Sequence, residues 1–305
     1  MSIVLILLQQ IIIMLLLMGI GYLMFRYKKI SLEGSKSLAN ILIYLSLPCV
    51  IIKGFLIDRT AAGTVGLLIS AAAAAVILAV SILISRFVFK KDSIGTFAGA
   101  FSNPGFFGIP LITACISDGA VFYIAAFIAF LNLLQWSYGV SILTGQKGRI
   151  TMKKIITAPF MIAIMIGLFF YFSGIKMPTI PLQCISFLSG LNTPLAMFTI
   201  GIYLAQTDVR AMLQKKSLYQ ISFVRLVIIP LTSFALLSLL PAGFLELKLA
   251  ILIASACPVG SNAATYAQLH NGDYPYAVET VVTSTMMSII TIPALLRLAQ
   301  VLWQY

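Results

Sequence analysis

Apolar residues run along this chain in blocks of about twenty, the length an α-helix needs to cross the ~30 Å hydrocarbon layer of a bilayer. Short polar or basic clusters separate them. The pattern predicts ten spans, near residues 3–25, 37–57, 61–87, 95–115 and 120–143, then 155–173, 183–205, 217–240, 247–269 and 275–300. The expected class is an all-α polytopic membrane protein. The first run, Ile3 to Phe25, has neither a basic leader nor a small-residue cleavage site, so it reads as a retained span.

Composition agrees with the pattern. Of 305 residues, 61% are hydrophobic and 9% charged, too few charges to clothe a soluble domain. The net charge of +12 matters through its placement: 14 Lys and Arg fall in alternate loops, at 26–36, 86–91, 147–154 and 210–216, and 5 on the other side. That bias puts the first group in the cytoplasm and both termini outside. Nucleic acid is excluded as a partner. The four cysteines form no Cys-x-x-Cys pair, one histidine cannot supply a two-histidine metal site, and no phosphate-binding loop ends in Lys-Ser or Lys-Thr. No cofactor is expected. His270 lies nine residues beyond Ser261, too far along a helix to act on it, and the acids are single, so no enzyme is expected either.

Five spans fall on each side of a basic linker at 144–154, giving repeats at 1–143 and 155–305. An odd number per half makes the two inverted if they are related. Pro48 and Pro194 stand 146 residues apart, and Pro104 and Pro258 stand 154 apart, a near-constant offset. Pro48 and Pro194 read equally well as kinks or as parts of a site. Spans four and nine are richer. Asn103, Pro104, Gly105, Gly108 and Pro110 crowd one, and Pro258, Gly260, Ser261 and Asn262 the other, so both helices should open at mid-span. Opened amino-terminal ends with free N–H groups would make an anion site without a buried lysine. The substrate-binding candidates are therefore Asn103, Pro104, Gly105, Pro258, Gly260, Ser261 and Asn262.

Two charged residues inside spans bear on function. Glu279 reads as a proton carrier or gate, or as a first-turn glutamate stabilised by the helix dipole. Arg225 reads as snorkelling back to water or guiding anions. His270 reads as a loop residue. Gly19 and Gly21, with Gly63, Gly66 and Ala71 to Ala75, read as helix-packing residues.

Three segments carry a resemblance. Asn103-Pro-Gly-Phe-Phe-Gly-Ile-Pro110, Leu191-Asn-Thr-Pro194 with Gly201, and Pro258-Val-Gly260 followed by Tyr266 and Asn271 resemble the auxin efflux carrier family over essentially the whole chain. The short linker is like that of bacterial members described as malate or malonate permeases, although the plant pattern places proline before the span-four asparagine and here Pro104 follows Asn103. The resemblance implies ten transmembrane helices in two inverted five-helix repeats, with broken helices 4 and 9 crossing. It also implies a scaffold of spans 1, 2, 6 and 7, a transport unit of spans 3–5 and 8–10, and organic anions bound near the crossing. The expected function is secondary transport of small carboxylates by alternating access. A sodium-coupled symporter of the bile-acid type and an anion channel or receptor stay open. The expected partners are a small organic anion, a coupling proton or sodium ion, and the lipid bilayer, with a homodimer left open.

Overall fold

The computed structural model describes residues 3–144, 156–270 and 272–304. Their regular structure is helical, because backbone in hydrocarbon must pair its N–H and C=O groups within its own segment. In chain order, α1 is Ile3–Arg26, α2 Leu32–Phe55, α3 Ala61–Val88, α4 Ser93–Ala100, α5 Pro104–Cys115 and α6 Asp118–Thr144. Then α7 is Pro159–Ser173, α8 Thr179–Ala205, α9 Val209–Gln214, α10 Lys216–Ser238, α11 Leu245–Ala256, α12 Asn262–Leu269 and α13 Tyr274–Trp303. Seven of these are long and apolar enough to cross a membrane: α1 from Leu8, α2, α3, α6, α8, α10 and α13. Two more, α5 and α7, are shorter apolar helices. The linker at 144–154 lies, except for Thr144, outside the described residues.

Helix ends follow the expected spans to within about five residues: α2 and α8 start early, at Leu32 and Thr179, and α7 starts late, at Pro159. Helix α2 begins at Leu32, not near 37, because the Ser31 side chain accepts the Gly34 N–H and Glu33 sits in the first turn, both favourable at an amino-terminal end. Thr60 and Asp92 cap α3 and α4 in the same way, accepting from the N–H groups of Gly63 and Gly95. At the other end of a helix, Gly174 closes α7 with φ +68°, a left-handed conformation that favours glycine.

Prolines are handled by a recurrent device. Leu42–Ser46, Pro104–Gly108 and Val224–Ile228 each wind as one π-helical turn, and each ends two residues before a proline: Pro48, Pro110 and Pro230. A proline has no N–H for the carbonyl one turn earlier, and a wider turn lets that carbonyl find another donor. Helix α2 consequently runs on through Pro48, and α8 runs on through Pro194. Neither proline separates its helix as the clusters of spans four and nine do, although a single turn residue, Leu191, interrupts α8 three residues before Pro194.

The core is apolar and aromatic, with Phe97, Phe101, Leu111, Phe122 and Ile251 fully buried at its centre. Helix α1 lies against the second half of α8, and α2 against α7 and the first half of α8. Among the other helices, α3 packs on α4 and α6, and α13 on α10 and α12. Large apolar side chains such as Leu16, Phe169, Ile180 and Phe187 point outward, as contact with acyl chains requires.

Gly21, one of the glycines expected to pack helices, sets the α1–α8 approach together with Gly201, which lies outside that set. A Cβ on Gly201 would overlap the Met18 carbonyl oxygen, and one on Gly21 would lie 2.5 Å from that of Phe198. Gly19 meets nothing within 4 Å and plays no such part. Gly201→Leu is expected to push the two backbones apart and lower stability by about 3 kcal/mol, the upper range for overpacking. Thermal denaturation in detergent should show it, with Gly19→Leu unchanged as the comparison.

Candidate functional site

Helix α4 stops at Ala100 because Phe101 turns extended, and Ser102 and Asn103 precede the restart at Pro104. Asn103 caps α5, its Oδ1 accepting the Phe106 N–H at 3.4 Å. Helix α11 stops at Ala256, Cys257 turns extended, and Ser261 leads into α12. Both helices thus open where the Pro and Gly clusters predict. The two opened strands meet. Ser102 and Val259 form an antiparallel bridge, the Gly260 N–H donates to the Phe101 carbonyl at 3.0 Å, and the Val259 N–H donates to Ser284 Oγ of α13 at 3.0 Å. Glycine is needed at 260, since a Cβ there would lie 2.9 Å from the Ser102 carbonyl oxygen. Pro104, Gly105, Pro258 and Ser261 are also buried around this junction.

Arg225 does not snorkel. It is 1% exposed, its Nη1 donates to the carbonyls of Gly99 at 3.0 Å and Ala100 at 3.1 Å, and its Nη2 donates to the Ser255 carbonyl. Those are the carboxy-terminal ends of α4 and α11. A helix end carries about half a negative charge there, so two ends roughly balance one guanidinium. The expectation fails because snorkelling weighs an arginine against lipid alone, and here two opened helices supply acceptors.

Gln135 is a junction residue that the sequence pattern does not single out. It is 1% exposed, in a π-helical turn of α6 at Gln135–Gly139, and its Oε1 accepts from Asn262 Nδ2 at 2.8 Å. A lone amide in an apolar run, beside Asn132, is the signal that could have found it. Asn192 stands out in the sequence only as part of a motif. Its Nδ2 donates to the Gly105 carbonyl at 3.1 Å, tying α8 to the start of α5. Among the described residues, the buried polar atoms near the junction with no partner include three nitrogen donors, Asn103 Nδ2, Gln135 Nε2 and Arg225 Nε, and the hydroxyl of Ser102. Asn192 Oδ1 is an unpartnered acceptor. Unsatisfied buried groups are costly, and a cluster of donors is matched by a ligand rich in acceptors.

Glu279 lies elsewhere. It is the sixth residue of α13, past the first turn, and its carboxylate is held by Lys215 at 2.6 and 2.7 Å, with side-chain exposures of 9% and 43%. A first-turn dipole role is therefore excluded, and the structure brings Glu279 to Lys215, not to the junction. His270 is exposed just after α12. Cys257 is fully buried with its Sγ donating to the Ile253 carbonyl, against Gly108, so it does not face a cavity. Four carbonyls at the breaks, those of Gly99, Ala100, Phe101 and Ser255, accept from protein donors.

A cavity of about 220 Å³ lies between α2, α5, α6 and α8, and the tie from its lining to the junction is Asn192, which donates to the Gly105 carbonyl. Exposed Lys53 and Asp118, paired at 2.9 Å, stand at its mouth, and Thr113, Ser186, Ser189 and the buried Asn192 line it. Lys215 and Glu279 line no part of this cavity.

An all-helical membrane fold whose two interrupted helices join at a donor-rich junction defines a membrane transporter, not an enzyme. The chain belongs to the family described as "Membrane transport protein", that of the auxin efflux carriers, whose model matches residues 6–296. A curated relative from Rhizobium meliloti (strain 1021), named "Putative malonate transporter", is 25% identical over 309 residues, covering 92% of each chain.

Proposed function

We propose that the protein is a secondary transporter of small carboxylates, working by alternating access with the α4–α5 and α11–α12 junction as its binding site. The observation that carries this reading is the set of unpartnered donors, Asn103 Nδ2, Gln135 Nε2 and Arg225 Nε, gathered where the two breaks meet. The amino-terminal ends of α5 and α12 add partial positive charge. The name of the Rhizobium relative supports a short dicarboxylate such as malonate as substrate. In this reading the α4–α5 and α11–α12 pairs are single broken spans, making ten helices in two inverted five-helix repeats. Helices α1, α2, α7 and α8 form the scaffold and the others the moving unit. The ion pairs Lys53–Asp118 and Lys215–Glu279 act as gates on the two faces, with Arg225 fixing the junction between them.

The test is saturable counterflow of labelled malonate in proteoliposomes, with a panel of mono- and dicarboxylates as competitors. Linear flux without counterflow would instead identify a channel. Topology gives a separate prediction. With both termini outside, Lys147→Cys should resist an impermeant thiol reagent on intact cells that express a cysteine-free background, whereas Lys176→Cys should react; the reverse pattern inverts the orientation.

A further inference from the structure

The charge at the junction selects the form of the substrate, an inference that rests on the carboxylate reading above. Each helix end carries about half an elementary charge. The carboxy-terminal ends of α4 and α11 together offer about −1, and Arg225 answers them through the Gly99, Ala100 and Ser255 carbonyls. What remains is about +1, from the amino-terminal ends of α5 and α12. That is the complement of one carboxylate. The polar inventory gives the same count: donors on Asn103, Gln135 and Arg225 suit a carboxylate, while the Oδ1 of Asn192, a cavity-lining residue whose Nδ2 is tied to Gly105, is an acceptor without a donor. A carboxylic acid O–H supplies that donor.

No protein carboxyl near the junction is free to carry a proton with the substrate. On the elements packed about it the acids are Asp92, Asp118, Glu246 and Glu279. Asp92 accepts from the Tyr276 hydroxyl, Asp118 pairs with Lys53, Glu246 accepts from Ser117, and Glu279 pairs with Lys215. Asp273, which caps α13, accepts from the Tyr276 N–H, and the other titratable groups on these elements are Lys216, Arg225, Lys248, Arg297, Cys115, Cys184, Cys257 and the tyrosines 123, 138, 203, 219, 266, 274 and 276.

We infer that the junction takes the singly protonated monoanion of a small dicarboxylate, its carboxylate on the Asn103, Gln135 and Arg225 donors and its acid O–H on Asn192 Oδ1. The proton enters with the substrate from one compartment and leaves with it into the other. Transport is then coupled to protons without a proton-carrying side chain, and each substrate moves one negative charge instead of two.

The experiment reads charge, internal pH and labelled malonate together in proteoliposomes of the full chain. The expected result is one negative charge and one proton per malonate, with flux tracking the monoanion concentration as pH is varied. Two charges per malonate, or flux tracking the dianion, overturns the proposal. Glu279→Gln separates the two carriers of a proton, whatever its residual rate. An unchanged proton-to-malonate ratio supports the substrate as carrier, and a ratio falling to zero gives the role to Glu279 and overturns it. Asn192→Ala should weaken malonate about tenfold relative to propionate, which has no acid group to lose, and an unchanged malonate-to-propionate preference would overturn the second contact. Failure of the carboxylate reading itself looks different, with no saturable flux of any mono- or dicarboxylate at any pH.

Discussion

Arg225→Met is expected to abolish measurable transport and to destabilise the protein by about 3–5 kcal/mol, because leaving a buried carbonyl without its donor costs about 1–3 kcal/mol. Three carbonyls at the ends of α4 and α11 would lose their donor at once. Arg225→Lys keeps the charge, but a single ammonium cannot reproduce a planar fork that reaches two helix ends. It should recover part of the stability and less than a tenth of the flux. Thermal denaturation and proteoliposome uptake measure the two effects. Wild-type uptake in Arg225→Met would show that the junction does not depend on this contact.

Asn103→Ala and Gln135→Ala should each raise the apparent KM tenfold to a hundredfold, since a hydrogen bond to a charged group contributes ~1.5–3 kcal/mol. Their protein levels in the membrane should stay near normal. Asn103 also caps α5 through Phe106, so Asn103→Asp is the sharper variant. It keeps an acceptor for that N–H while replacing a donor with a negative charge, and it should repel a carboxylate more strongly than alanine does. Asn132→Ala is the control: Asn132 Nδ2 donates to the Ile128 carbonyl within its own helix and has no tie to the junction. Equal KM in wild type, Asn103→Ala and Gln135→Ala would place the binding site elsewhere.

The helices and the breaks were legible in the sequence for one reason: the bilayer dictates segment length, and few residues besides Pro and Gly interrupt a span. Asn103, Pro104, Gly105 and Pro258 to Asn262 therefore stood out, and the structure joins their segments at Ser102 and Val259. What stayed hidden was pairing across long separations. Asn262 meets Gln135 from 127 residues away and Asn192 meets Gly105 from 87, and neither local composition nor periodicity records such partners. Pro48 and Pro194 resembled the true breaks in letters. Pro48 has no neighbouring glycine or asparagine, and beside Pro194 Gly190 and Asn192 are present but no side chain caps the stretch that begins at Asn192, whereas Asn103 caps the restart at Pro104.

The π-helical turn at Val224–Ile228 has a bearing on the arginine it contains. Such a turn amounts to one residue spliced into an α-helix, which rotates the helix before it by about 100° relative to the helix after it. Pro230, by denying a donor to the chain one turn back, holds that extra residue in place. The azimuth at which Arg225 leaves α10, and hence its reach to both α4 and α11, is thus written by a proline five positions further on that touches neither helix end in its own right. Evolutionary loss of that imino acid would allow ordinary pitch to return and would swing the guanidinium away from its carbonyls, so the two positions are bound to change together or not at all.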